Sequence, residues 1–396
     1  MQTGRIGQLG RVGQVGRVER VPSRTLTKAV AFVGIAGLLW ASERALERVA
    51  SAQKRAPSFQ VDPMWPKLPK QWILGQVSGV AVDARDHVWI IQRPWSLNDD
   101  EKARNPDAEC CTAPPPVMEF DAAGNYLQGW GGESPEYEWP KDEHTIHVDY
   151  KGNVWICGYV KNADAKKDDN QCLKFTKDGK FLLQIGKGGV PVDSNSTEHL
   201  SRPAAVAVYG RTNEVFVADG YGNRRVVVFD ADTGAYKRHW GAYGKKPDDK
   251  APNARQSTGQ ASQQFNTPHG VAISNDGIVY VADRANNRIQ TFTMAGLFLK
   301  EGFVRRNSEG TGSAFGVGLS TDPQQRFLYV ADGSNERIAI LDRRTLEEIG
   351  QIGRPGRKAG EFFHLHSLGV DPKGNIVTGE SQGYRVQKFI YKGLSR

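Results

Sequence analysis

Three histidines in this 396-residue chain, His144, His269 and His366, each open an apolar run with strand-like alternation. The runs read HTIHVDYKGNVWICGY, HGVAISNDGIVYVADRANNRIQTF and HSLGVDPKGNIVTGESQGYRVQKF. Arg93 and Arg284 stand just past the second strand of their own runs, and Tyr221 stands one residue further on in another. Three imidazoles converging on one point make a zinc shell with a position open for water or substrate. Two guanidiniums and a phenol beside it suit an anionic substrate and a proton transfer near a polarised oxygen. Whether the six residues converge depends on the elements that carry them.

Those elements repeat. An apolar strand, a tight polar turn, a second strand ending near Asp, a polar loop with Arg, and a third strand recur six times. The copies begin at Ser78, His144, Ala204, His269, Phe315 and His366. Fourth strands follow several of them, as in YLQGWG, FLLQIG, YKRHWG and EEIGQIG. Six four-stranded units of roughly 40–50 residues predict an all-β fold, a six-bladed β-propeller. The last copy lacks its own fourth strand, and a segment near Phe59 to Leu74 is expected to supply it and close the ring.

In such a ring, alternate blades are about a third of a turn apart. Histidine occupies the first-strand position on the second, fourth and sixth copies, so three imidazoles should face the central channel with trigonal symmetry. Arg93 and Arg284 lie on the first and fourth copies and should face each other across it. Short turns are expected on one face. The long connections Pro94 to Pro116, Lys161 to Gln171, Lys187 to Ser201 and Ala242 to Asn266 fall on the other, beside the histidines. His87, His147, His199, His239 and His364 show no such relation and read as structural or surface residues. Arg225, Arg288, Arg337 and Arg385 recur in third strands and read as hydrogen-bonding parts of the repeat.

Charge excludes one class of partner. Residues 1–55 hold ten Lys and Arg against three Asp and Glu, a net of +7, which leaves +1 of the total +8 for the rest. No basic nucleic-acid footprint remains. Residues 1–57 read as an export signal and linker before a propeller over 58–396. An apolar stretch of 13 residues runs from Ala29 to Ala41 and is short for a membrane span, and Ala50-Ser51-Ala52 offers a small-residue cleavage site. The protein is expected to be exported, periplasmic or extracellular, held at a membrane only if that segment stays uncleaved, and to act as a monomer. Export permits disulfides. Cys157 and Cys172 could bridge a hairpin, and Cys110-Cys111 could pin the Pro94 to Pro116 segment. Four cysteines allow three pairings, and the sequence does not choose between them.

The repeats resemble NHL repeats, and the combination resembles the lyase domain of peptidylglycine α-amidating enzymes. The resemblance covers most of Val77 to Phe389 and is most specific in GQVSGVAVD, VFVADGYGNRRVVVF, PHGVAI and VADRANNRIQTF. It implies zinc ligands at His144, His269 and His366 and a catalytic set of Arg93, Tyr221 and Arg284. It also implies cleavage of a peptidyl-α-hydroxyglycine, or a small molecule with such a group, to an amide and glyoxylate. In that scheme zinc polarises the α-hydroxyl, Tyr221 takes its proton, Arg93 holds the tyrosine and Arg284 orients the carboxylate.

The chain departs from the pattern in three places. Ser367 stands where the family has an aspartate calcium ligand, so structural calcium is not expected. Gly222 stands where the family has a cysteine. No copper monooxygenase segment precedes the repeats in this sequence, so the hydroxylated substrate is expected from elsewhere. Two other readings are compatible with the repeats: an exported NHL propeller that binds through its long loops around a structural metal, and a metal-dependent hydrolase such as a lactonase. Six-bladed lactonases rely on carboxylate ligands, and no acidic residue holds the inner-strand position here.

Overall fold

The computed structural model describes residues 55–102, 111–160, 168–190, 192–252 and 262–395. The apolar run and cleavage site of the expected export signal lie outside them. Among the described residues the chain forms six antiparallel four-stranded sheets, arranged as a six-bladed β-propeller. Five sheets run through consecutive strands, with innermost strands Gln76–Val82, Glu143–Val148, Ala205–Tyr209, Pro268–Ile273 and Ala314–Leu319. The sixth takes Leu365–Val370, Ile376–Glu380 and Arg385–Leu394 from the end of the sequence and Pro57–Asp62 from its beginning. The closing strand thus starts slightly before the expected segment and ends at Asp62, well short of Leu74. We number the blades 1 to 6 from Gln76.

Apolar alternation packs each blade on its neighbours. Second strands place Trp89, Trp155, Phe216, Tyr280 and Tyr329 at one repeated position, all buried. A buried aromatic of this kind contributes roughly 2–3 kcal/mol. Trp89 and Trp155 also donate their indole N–H to Asp83 and Asp149, at 3.2 and 3.1 Å. Those aspartates build the turns of the face away from the long loops. Asp149 Oδ1 accepts the N–H groups of Lys151 and Asn153, both at 2.9 Å. Gly152 completes that turn at φ 81°, a conformation glycine takes without strain.

At the opposite end five of the six innermost strands are irregular at the position aligned from sequence. The pairing skips Ser78, His144, His269, Phe315 and His366, and in blade 3 the ladder begins one residue after Ala204. A bulge inserts one unpaired residue and re-aims its side chain. Three of these five bulge positions carry histidine.

The third-strand arginines brace this end. Arg225, Arg288, Arg337 and Arg385 pair with Asp219, Asp283, Asp332 and Glu380 at 2.7 to 2.9 Å. Three of them also donate to loop carbonyls that lead into their own blade: Arg225 to His199, Arg288 to Gln264 and Arg385 to Glu361. The repeat therefore fixes the long connections next to the channel mouth. Cys157 and Cys172 form a disulfide between neighbouring strands of blade 2. Among the described residues no helix is long and apolar enough to cross a membrane.

Candidate metal centre and active site

Each of the three histidines is buried, and each binds the next blade through Nδ1. His144 bonds to the carbonyl of Ala204 at 2.8 Å, His269 to that of Phe315 at 2.9 Å and His366 to that of Ser78 at 2.6 Å. The alternation of histidine with other residues acquires a reason here, because every imidazole leans on an aligned position that carries none. A carbonyl accepts only, so Nδ1 holds the proton and Nε2 presents a lone pair. Burial, followed by the neighbouring imidazoles and guanidiniums, holds all three well below the usual histidine range. They are neutral donors.

The rings are related by near-threefold symmetry. Their centres lie 4.8, 4.7 and 5.0 Å apart, each pair inclined at 79°. One ring nitrogen from each lies within 4.8 Å of those of the other two. Tyr221 closes the site from above. Its hydroxyl is 3.1 Å from Nε2 of His144 and 3.0 Å from Nε2 of His269. One hydroxyl hydrogen cannot serve both, so an imidazole lone pair remains without a donor in a buried site. Three neutral nitrogens with an open side suit zinc better than a hard cation. Beyond the rings runs the central channel, with a cavity of about 310 Å³.

The two arginines differ. Arg284 donates from Nη1 to Tyr221 Oη at 2.8 Å and lies 5.0 and 4.8 Å over the rings of Tyr221 and Phe315. Its Nε is buried without an acceptor, and among the described residues no carboxylate pairs with it. Arg93 pairs with Asp142 at 2.5 Å and donates to the carbonyl of Glu143 at 2.8 Å and to Gln76 Oε1 at 2.7 Å. The guanidinium that touches Tyr221 is therefore that of Arg284, where the sequence reading gave that contact to Arg93.

Two further residues join the site. Tyr159 has its ring centre 4.8 Å from His144 and 4.5 Å from Tyr221, and Arg93 stacks on it at 5.2 Å. Its hydroxyl donates to Asp142. In register it is the blade 2 counterpart of Arg93 and Arg284, each one residue past the equivalent second-strand position. That register is the signal that finds it. His364, expected to be structural or surface, packs edge-on against Phe315 at 5.6 Å beside His366.

Several other residues fall outside the site. His87 bonds to Glu119 at 2.7 Å, and His147 accepts the N–H of Val208 at 3.1 Å. Asp83, His87 and Glu119 are close enough to hold an ion, but Arg85 already reaches both carboxylates there, at 2.8 and 2.9 Å. Ser367 Oγ is buried without a partner and lies where a side chain on Gly379 would begin.

The repeat that carries His269 and Arg284 decides the comparison. Residues 265–292 match the NHL repeat model. Over 334 residues the chain is 28% identical to peptidylglycine α-amidating monooxygenase of Rattus norvegicus, a match covering 80% of this chain and 30% of that protein. Over 332 residues it is 28% identical to the probable peptidyl-α-hydroxyglycine α-amidating lyase of Caenorhabditis elegans, covering 79% and 82% of the two chains. In fold it is similar to a structural genomics protein of unknown function from Bacteroides thetaiotaomicron, with a TM-score of 0.52 and 13% identity over 85% of this chain and 77% of that one.

Proposed function

We propose that this NHL propeller is a zinc-dependent lyase that cleaves a peptidyl-α-hydroxyglycine to a peptide amide and glyoxylate. His144, His269 and His366 would hold the metal, and Tyr221, Arg284 and Arg93 would serve the chemistry. The observation that carries this reading is the Arg284 guanidinium. Its Nε is buried without an acceptor, it bears no carboxylate partner among the described residues, and it touches a phenol that spans two imidazoles. A buried unmatched donor costs about 1–3 kcal/mol. A substrate carboxylate would relieve that cost.

Bound zinc would supply a Lewis-acid charge that polarises the substrate hydroxyl. Tyr221, acting as a phenolate beside the Arg284 guanidinium and the metal's charge, would take that hydroxyl's proton as the C–N bond breaks. The oxygen's electron pair forms the aldehyde of glyoxylate, and the amide nitrogen takes up a proton, so the reaction needs no co-reactant. Arg284 places positive charge beside the oxygen of the base and can orient the carboxylate. Arg93 fixes Tyr159 and, through it, the ring of Tyr221. The disulfide fits a protein working outside the cytoplasm.

The test is glyoxylate release from a short synthetic peptidyl-α-hydroxyglycine by zinc-loaded protein, a chelated sample and Tyr221→Phe. Release should require metal, and Tyr221→Phe should keep its zinc while losing at least roughly a hundredfold in turnover. Zinc bound with no glyoxylate formed would sink the lyase reading and favour a binding scaffold. Parallel loss of zinc and turnover in Tyr221→Phe would make the tyrosine structural.

A further inference from the structure

Phe315 holds, in blade 5, the first-strand position that carries histidine in blades 2, 4 and 6. The other two blades without histidine place Ser78 and Ala204 there, so blade 5 alone fills the position with a large apolar side chain. Phe315 is 1% exposed, and its ring meets several side chains of the site. The ring centre lies 5.3 Å from that of His269 and 5.9 Å from that of His366, and Arg284 lies 4.8 Å over it. His364 packs against it edge-on at 5.6 Å. A side chain on Gly333 would begin 3.0 Å from two of its carbons, so backbone closes one side. The ring is held.

The third-strand arginines are each fixed by a carboxylate, which also neutralises them. An aromatic face attracts a guanidinium through its quadrupole and adds no negative charge. We infer that Phe315 is a positioning residue, whose ring fixes the Arg284 guanidinium while leaving its positive charge for a substrate carboxylate. The inference rests on the lyase reading for that carboxylate. The carbonyl of Phe315 also accepts the Nδ1–H of His269 at 2.9 Å, so one bulge residue orients a candidate metal ligand and the cation beside it. Phe315→Leu keeps an apolar side chain and removes the quadrupole. The expected loss of carboxylate affinity is roughly threefold to tenfold.

The test compares calorimetric binding of N-acetyl-Ala-Gly, which ends in a carboxylate, with binding of its C-terminal amide. Zinc-loaded wild type, Phe315→Leu and a protein with pentafluorophenylalanine in place of Phe315 are measured, with zinc content followed in each. Fluorination keeps the shape of the ring and reverses its quadrupole. Wild type should favour the acid, and that preference should fall by the stated factor in both altered proteins with zinc unchanged. In an Arg284→Ala background Phe315→Leu should change nothing further, and a further fall there overturns the inference. A fluorinated protein that keeps the wild-type preference also overturns it, because packing alone would then explain the loss in Phe315→Leu. So does zinc lost in parallel with the preference, which would assign the ring to His269 and His366. Equal or undetectable binding of acid and amide by wild type overturns it too. Glyoxylate release from the matching hydroxyglycine peptide runs alongside. A fluorine-sensitive preference without glyoxylate keeps the positioning role and removes the lyase. Glyoxylate without that sensitivity does the reverse.

Discussion

Arg93 and Arg284 hold the same register position in blades 1 and 4, yet Arg93 is neutralised by Asp142 at 2.5 Å while Arg284 meets a phenol at 2.8 Å. The difference comes from the neighbouring blade. Asp142 precedes the innermost strand of blade 2 and reaches back to Arg93, and blade 5 offers Phe315 to Arg284 instead. One position therefore yields a braced cation and an available one.

Substitution should separate them. Arg93→Ala strands a buried carboxylate and should cost about 3–5 kcal/mol in urea unfolding. Arg284→Ala removes an unmatched donor and two ring contacts, which offset each other to within about 1 kcal/mol. It should nevertheless abolish most glyoxylate release. Equal destabilisation by the two changes would contradict the assignment.

Metal should stabilise the ring as well as the site. At free zinc a hundred times Kd, binding adds about 2.7 kcal/mol to folding stability. Chelation should lower the thermal midpoint of the wild type and leave His366→Ala unmoved. A variant that responds to chelator as the wild type does would remove His366 from the ligand set.

The protein should also lose stability in acid through His147. Its Nε2 accepts the Val208 N–H, and burial pushes its pKa down to about 4. The unfolded value is about 6.5. Because the folded value is the lower one, this contribution is complete above pH 6.5 and is lost as pH falls through the window towards 4. At pH 4 the loss is about 3 kcal/mol. His147→Gln keeps an acceptor for Val208, so its unfolding free energy, measured on chelated samples, should fall less than that of the wild type between pH 7 and 4. An identical fall would show that His147 is not responsible.

Reduction should weaken the second blade. The Cys157–Cys172 bridge closes a separation of 15 residues, worth about 3 kcal/mol in chain entropy. Cys157→Ser with Cys172→Ser should lose about that much in urea unfolding. A double variant as stable as the oxidised wild type would show that the bridge adds nothing.

Internal symmetry made much of this legible from sequence. A repeat preserves position, so aligning six strand starts was enough to find His144, His269 and His366, and six strand ends to find Arg93 and Arg284. Symmetry carries no information about partners. Nothing in the alignment says that Nδ1 of each histidine bonds to the next blade, or that the aligned residues are bulges. Asp142 and Arg93 lie 49 positions apart on different copies, and only folding brings them together. Tyr159 shares the register of Arg93 and Arg284 but not their residue type, so residue type alone does not single it out. The direction of Ser367 needs a backbone.

Blade 6 joins the first strand to the last among the described residues, Pro57–Asp62 against Arg385–Leu394. During synthesis the early strand has to wait, an unpaired edge, for nearly the whole remaining chain. The bond from His366 to Ser78 spans the same seam, so the third imidazole takes its place only when the circle shuts. A nascent chain therefore passes through every earlier stage with at most two of the three candidate ligands oriented. Metal captured before closure would be held by a pair, and the finished trio is a property of the completed circuit.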